Sequence, residues 1–260
     1  MATIRIVGTG RAAQSLQRAL EPTAFEVTDL VRRGEDLRDV AVGVDAVVLA
    51  TADDALEAVA AAIEPRPEVA VLHLSGSRGL DVLAPHVRRG SLHPLVPLPN
   101  GEIGAARLRS GCTFCVSGDP MAAAIACELG GRVVEVADEH RTRYHAAACV
   151  AANHVVGLLG QVERLATSIG LDLDCFLDLT RAALDDVAEL GTQRALTGPA
   201  VRGDWSTLTA HLAALDPTER PGYEAGVTLA LQLATGWSEL GISIDEAELA
   251  QATPLGPVPA

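Results

Sequence analysis

Not one lysine occurs among the 260 residues; all 20 positions counted as Lys plus Arg are arginine. No catalytic ammonium, Schiff-base amine or lysine general acid is available to this chain, whatever its fold. Aromatic residues are also scarce, at 3%, against a hydrophobic content of 48%. The core is therefore built from Ala, Val and Leu, as suits helix-rich α/β packing. Positive charge is in deficit: 34 acidic residues give a net charge of -14 and a pI near 4.8. Such a chain lacks the basic footprint that a phosphate backbone demands, so nucleic acid is excluded as a partner. No charged segment followed by an apolar signal run opens the sequence, and no run of about 18 apolar residues suggests a bilayer span. A cytoplasmic protein without a membrane partner is expected. The five cysteines, an odd number, fit a reducing compartment better than a disulfide framework. Cys112 and Cys115 do form a C-x-x-C, but inside an apolar stretch that reads as a strand. No second such pair completes a zinc site, so buried thiols and no metal are expected.

What is present begins at Ile4-Arg5-Ile6-Val7-Gly8-Thr9-Gly10-Arg11-Ala12-Ala13, a short apolar strand entering a Gly-x-Gly-x-x-Ala turn and then a helix. Gly8 permits the tight turn, Gly10 lets the backbone approach a pyrophosphate, and Ala13 lets the helix pack close to the strand. The phosphates would lie at the helix N-terminus, against Thr9, Gly10, Arg11, Ala12 and Ala13, where unpaired N–H groups favour an anion. A plain strand-turn-helix is the alternative. Further strands are expected over Phe25–Val31, Val44–Ala50 and Val69–Leu74, with a helix over Asp54–Ile63. Shorter strands follow at Ser91–Leu95, broken by Pro94, at Cys112–Val116 and at Val133–Val136, with a helix over Pro120–Leu129. This alternation is the α/β pattern of a doubly wound parallel sheet. From about Asp138 the chain turns helical, over Arg143–Ala166, Leu173–Leu190, Trp205–Leu212 and Tyr223–Leu240. Two domains are expected, residues 1–137 and 138–260, and an extended or frayed tail over Pro254–Ala260.

Arg32 and Arg33 end the second expected strand, beside the adenosine ribose of a dinucleotide fold. Their forked cations suit the 2′-phosphate of NADP, whereas Asp29 argues for the 2′-hydroxyl of NAD; the arginines favour NADP. Thr51 and Ala52 follow the third strand, where their backbone could line the nicotinamide side, while Asp53 or Asp54 caps the next helix. His73 and Ser75 end the fourth strand, and His93 lies in the next. A histidine there could give a proton to a carbonyl receiving hydride, or be a satisfied structural side chain. Tyr144 and His145 open the long helix, and Asn153, eight residues past His145, shares its face. That polar pair needs partners, in the core or in a ligand pocket. Thr197 and Arg202 lie in a Gly/Pro-punctuated loop before Asp204, a helix cap, and could hold a substrate carboxylate.

Together, Gly8-x-Gly10-x-x-Ala13, Arg33, Leu74-Ser75-Gly76, Ser91-Leu92-His93-Pro94-Leu95, Tyr144-His145-Ala146-Ala147 with Asn153, and Leu196-Thr197-Gly198-Pro199 through Arg202-Gly203-Asp204 resemble one family. This is the Rossmann-like oxidoreductases whose helical second half is the domain of unknown function 2520. The resemblance implies an N-terminal NADP-binding domain and an all-helical C-terminal domain like that of 6-phosphogluconate dehydrogenase and pyrroline-5-carboxylate reductase, often paired in a homodimer. Val96-Pro97-Leu98-Pro99 departs from the polar-aromatic residues more usual after His93-Pro94-Leu95. The expected activity is NADP-dependent hydride transfer to or from a small carbonyl, imine or hydroxy acid without a catalytic lysine. His93, His145 and Asn153 are the catalytic candidates, and Tyr144, Thr197 and Arg202 the substrate contacts. The alternative is a non-catalytic NADP-binding sensor or partner-binding protein.

Overall fold

The computed structural model describes residues 2–235. The expected C-terminal tail and the end of the last expected helix lie outside the described residues. Strands β1 (Ala2–Val7), β2 (Phe25–Val27), β3 (Ala46–Leu49), β4 (Ala70–His73), β5 (Arg88–Pro94), β6 (Thr113–Gly118) and β7 (Arg132–Glu135) form one sheet in the order β2-β1-β3-β4-β5-β6-β7. The strands from β2 across to β5 run parallel; β6 is antiparallel to β5, and β7 parallel to β6. β3 and β4 are buried at every residue, as an unbroken Ala/Val/Leu run requires when both faces are covered. On one face Ile4, Ile6, Val48, Leu72, Leu92 and Phe114 pack under helices α1 (Arg11–Leu20), α3 (Gly101–Leu108) and α4 (Pro120–Glu128). On the other, Val7, Val47, Leu49 and Val71 meet α2 (Leu56–Ala62).

Three local features differ from the sequence expectation. β2 is shorter, ending at Val27, and Val31 rejoins the edge only through a single bridge to Val7. Pro94 does not break β5 but ends it, where its missing N–H costs nothing, and the next N–H, of Leu95, bonds Thr113 O at 2.8 Å. Helix α3 arises after Val96-Pro97-Leu98-Pro99, in a segment to which the sequence assigns no element. Its start is set by the Asn100 side chain, which accepts the Ile103 N–H at 2.8 Å. Gly101 and Gly104 face α1, and a Cβ on Gly104 would strike the Ser15 hydroxyl.

Residues through Asn153 form one compact unit and those from His154 a second, so segment 138–153, expected to open the helical half, makes its contacts within the sheet unit. It comprises a 3₁₀ turn at Asp138–His140, helix α5 (Arg141–Cys149) and most of a π-turn, Val150–His154. The second unit contains α6 (Val155–Ser168), α7 (Asp174–Leu190), α8 (Thr192–Ala195), α9 (Pro199–Arg202), α10 (Trp205–Ala214) and α11 (Arg220–Thr235). There α11 packs on α8 and α9, and α9 on α10. Asp204 caps α10 as expected, accepting the Thr207 N–H at 3.1 Å. Contrary to the expectation that no apolar run suits a bilayer, Asp138–Ser168 is long and apolar enough to cross one by length and composition, with an 18-residue window of mean hydropathy 1.2.

Asp119 joins two elements of the sheet unit. Its carboxylate caps α4 through the Met121 N–H at 3.0 Å and takes both the Nε and Nη2 of Arg88 at 2.8 and 3.0 Å. Burial pushes this carboxyl up, but the Arg88 and Met121 hydrogen bonds and the Arg88 charge outweigh it and hold it below the usual carboxylate range. Arg88 is partly exposed, so the pair contributes about 1 kcal/mol and the cap about another. Asp119→Ala should therefore cost about 2 kcal/mol at pH 7. Because the folded pKa is depressed, this advantage exists above the unfolded value, roughly pH 4, and vanishes as pH falls below it. Urea denaturation at pH 7 and pH 3 checks both the size and the sign.

Candidate functional site

The sheet reverses direction of winding at β1, whose neighbours are β2 and β3, and the carboxyl end of such a switch point is where open α/β sheets bind ligands. Gly8 sits there at φ +122, with its N–H bonded to Val31 O at 2.9 Å. A Cβ on Gly8 would lie 2.5 Å from Ala50 O, so the β1–β3 approach itself requires glycine. Gly10 differs: a Cβ there would meet nothing within 4 Å, and α1 carries no side-chain cap and no acidic residue in its first turn. The space above the turn is open and its amide end is free to face an anion. Ala13 is fully buried against the core, as expected. Around this turn lies a cavity of about 1040 Å³, lined by Thr9, Gln14, Gln17, Asp29, Arg32 and Arg33 among others. Both the acidic and the basic candidates for the ribose thus lie on one wall. At the end of β3, Thr51 Oγ1 is buried with no hydrogen-bond partner among the described residues.

A second cluster occupies the carboxyl ends of β4 and β5 and the antiparallel β6 beside them. Strand register places His73 beside Ser91 and Ser91 beside Ser117, with His93 beside Cys115 two residues on; period-two alternation turns these side chains to one face. His73 is fully buried, its Nδ1 accepting the Ser75 N–H at 3.2 Å and its Nε2–H donating to Gly79 O at 3.3 Å. Burial, then the Arg141 charge, lowers its pKa to about 4. His73 is thus the structural histidine of the pair. His93 Nδ1 accepts the Tyr144 hydroxyl at 2.5 Å, and the rings of His93 and His145 stand edge to face with centroids 6.3 Å apart. Burial, the neighbouring His145 and Arg141 lower the His93 pKa to about 4. Burial and the adjacent Cys115 thiol push the Tyr144 hydroxyl up. At neutral pH the site therefore holds an uncharged imidazole and a protonated phenol, with Nε2–H of His93, beside Gly76, as the donor that remains.

The sequence candidates divide accordingly. The structure brings together His93, Tyr144 and His145. The π-turn starts after α5 and carries Asn153, so this exposed amide shares no described contact with His145. Ser75 uses its hydroxyl locally, accepting the N–H groups of Ser77 and Arg78 at 3.2 and 3.1 Å. The expected cap from Asp53 or Asp54 is not formed: α2 has no side-chain cap, and Asp53 instead accepts the Ser77 hydroxyl at 2.6 Å. Thr197 and Arg202 are exposed in the second unit, on either side of the start of α9. Cys115 is a buried thiol of β6, whereas Cys112 lies just before the strand and is half-buried; all five cysteines are free.

Two residues escaped the sequence reading. Gly76 has no Cβ to spare: one there would lie 2.8 Å from His93 Cε1 and 2.9 Å from His145 Cδ2. Arg141 is 1% exposed and bonds Asp138, Ser75 O and Ser117. Gly76 enters the sequence reading only within Leu74-Ser75-Gly76, without a role of its own, and nothing local distinguishes Arg141 from its exposed neighbour Arg143.

His73 and His93, with depressed folded values, lend stability that is fully present above pH ~6.5 and is lost as pH falls towards about 4. Chemical denaturation should show stability declining through that window. His93→Gln should flatten part of the decline, and a profile identical to wild type would contradict the assignment. Gly76→Ala should displace the two rings while leaving the glycine turn intact.

Residues 112–229 match the family model of the domain of unknown function DUF2520. A search of curated protein sequences finds no match. Among solved structures, the chain is similar to a Bacteroides fragilis protein assigned as an NADP oxidoreductase, with TM-score 0.73 and 23% identity over 89% of this chain and 98% of that one. It is also similar to an Aspergillus terreus reductive aminase in complex with NADPH and ethyl levulinate, with TM-score 0.67 and 13% identity over 96% and 99% of the two chains. A Plasmodium falciparum pyrroline carboxylate reductase with NADP bound follows, with TM-score 0.60 and 11% identity over 90% and 98%. The chain has a Rossmann-type fold, and its similarity to the domain of unknown function DUF2520 spans residues 112–229, less than half of its length.

Proposed function

We propose that this protein is an NADP-dependent oxidoreductase that moves hydride to or from a small carbonyl, imine or hydroxy acid without a catalytic lysine. The cavity of about 1040 Å³ at the Gly8–Gly10 turn carries this reading. The turn and the cavity beside it fit a dinucleotide: open space over Gly10, an uncapped α1 N-terminus and two arginines in the lining, with, at the end of β3 and outside that lining, a buried Thr51 hydroxyl that has no partner among the described residues. Arg32 and Arg33 would hold the 2′-phosphate, while Asp29 leaves NAD as a weaker ligand. Thr51 and Ala52 would line the nicotinamide side. The NADP and NADPH named for the Plasmodium and Aspergillus proteins support the same choice.

Bound, the nicotinamide supplies the hydride. His93, fixed by Tyr144 at Nδ1, offers Nε2–H to the oxygen or nitrogen of the group being reduced. With its pKa lowered to about 4, His93 polarises that group by hydrogen bonding and is a poor source of a full proton at neutral pH. A substrate already protonated as an iminium needs no more. His145 and Asn153 are the further catalytic candidates, and Thr197 and Arg202 would bind a substrate carboxylate. The same two shifts favour one competing reading, an NADP-binding protein without turnover, since neither His93 nor Tyr144 titrates near neutrality.

Fluorescence titration should give NADPH an advantage over NADH of about tenfold or more, and Arg33→Ala should abolish that advantage; equal affinities would overturn the NADP assignment. Steady-state NADPH oxidation over imine, ketoacid and aldehyde panels decides between the readings. Turnover lost in His93→Ala supports the enzyme, whereas tight NADPH binding with no turnover supports the sensor.

We further propose a cytoplasmic homodimer. No residue of α7 is buried, and Leu179 and Leu184 are 70% and 58% exposed, as are Val156 and Leu158 of α6 at 70% and 51%. An apolar surface of this extent calls for a cover, and a second copy supplies a matching one. Light scattering should report twice the chain mass, and Leu179→Glu with Leu184→Glu should yield monomer. A wild-type monomer would refute the dimer.

A further inference from the structure

Arg141 has no place in the chemistry above, yet it is the largest side chain among those fully buried. Burying a guanidinium is costly unless its donors are met. Here Nε meets Asp138 Oδ1 at 3.2 Å, Nη2 donates to Ser117 Oγ at 2.8 Å, and Nη1 reaches Ser75 O at 3.4 Å. These partners belong to three places: the 3₁₀ turn before α5, strand β6, and the turn after β4. Asp138 is itself anchored, its Oδ2 accepting the Leu80 N–H at 2.8 Å. The Ser75 carbonyl immediately precedes Gly76, the residue against which the His93 and His145 rings are seated. Tyr144 and His145, one turn along from Arg141 on α5, supply the other side of the same cluster.

We propose that Arg141 is a positioning residue: its fork ties the Ser75-Gly76-Ser77 turn to β6 and to the start of α5, and so sets where Nε2–H of His93 is presented. The inference rests on the oxidoreductase reading for its effect on turnover, but not for its effect on His93. A lysine could not do this work, because a single ammonium lacks the planar fork that spans three acceptors. The charge of Arg141 has a second effect. The groups facing His93 are His145, Tyr144 and Arg141 from α5, Asp53 after β3, His73 of β4 and Cys115 of β6. Of these, His145, Arg141 and His73 oppose protonation and Asp53 favours it, so removing Arg141 raises the His93 titration.

The test uses Ser117→Ala, which deletes one acceptor, together with Arg141→Lys and Arg141→Met. NADPH affinity should stay within about twofold of wild type in all three, and kcat should fall roughly 10- to 100-fold in the arginine variants, the cost of a misplaced donor. In NMR titrations His93 should move up from about 4 in Arg141→Met, and Arg141→Lys, which keeps the charge, should hold the His93 titration near wild type without restoring kcat. Where the arginine variants fail to fold, Ser117→Ala carries the test through a smaller loss of kcat at unchanged KM for NADPH. Wild-type kcat in Ser117→Ala and Arg141→Lys, or an unmoved His93 titration in folded Arg141→Met, overturns the proposal. A wild-type protein that binds NADPH but turns nothing over would instead refute the oxidoreductase reading, leaving the His93 titration as the measure of Arg141.

Discussion

The central strands β3 and β4 are buried along their whole length, and that constraint decides where everything polar can go. A sheet covered on both faces tolerates hydrogen-bonding side chains only where the strands end and the backbone turns outwards. At the carboxyl edge the apolar run of each strand gives way in turn: β1 to Gly8 and Thr9, β3 to Thr51, β4 to His73 and Ser75, β5 to His93. The hydrophobic pattern thus aims the chemistry without contributing to it. His73 and Ser91 lie within that limit, fully buried, and the structure meets the demand of His73 with Ser75 and Gly79.

The two glycines of the first turn obey different constraints. Gly8 is required by the chain itself, because any side chain would drive into Ala50 O. Gly10 is required by nothing in the chain, since a Cβ there would stand in open space. A residue kept small with no internal reason points outwards, to what approaches it. The sequence already assigns Gly8 to the turn and Gly10 to an approaching ligand, and the distances add the physical reason for the first, the close passage of Ala50 O.

The elements that rest on long apolar runs were legible from the residues: β1 with its turn and α1, β3, β4, α4, and α6, α7, α10 and α11 of the second unit, whereas the short α8 and α9 fall at and within a stretch read as a loop. Those that rest on tertiary contact were not. α3 goes unassigned from sequence because its glycines, poor helix formers, are needed for close packing on α1. The direction of β6 leaves no mark in composition, and the change from strand to helix near Ala137 does not mark where contacts divide, because Arg141 and Tyr144 bond back to the sheet. His93, Tyr144 and His145 were legible as polar residues in apolar surroundings. Gly76 and Arg141 were not, since their importance lies in partners 17 to 69 positions away in sequence, such as His93 and His145 for the glycine.

The missing lysine and the buried arginine bear on one problem. A group receiving hydride gains electron density, and an ammonium beside it would supply both charge and proton. This chain has no lysine, and the one fully buried cation among the described residues is committed to three acceptors. Placed there, the guanidinium holds the turn while its charge works against protonation of both His73 and His93. The donor that remains is a neutral imidazole N–H, whose partner nitrogen is occupied by a phenol that keeps its proton. On the proposed reading such a donor can stabilise developing charge by a hydrogen bond but cannot readily give a proton away at neutral pH. Reduction there is best matched to a group that arrives protonated, which places an iminium ahead of a neutral ketone in the order of expected substrates.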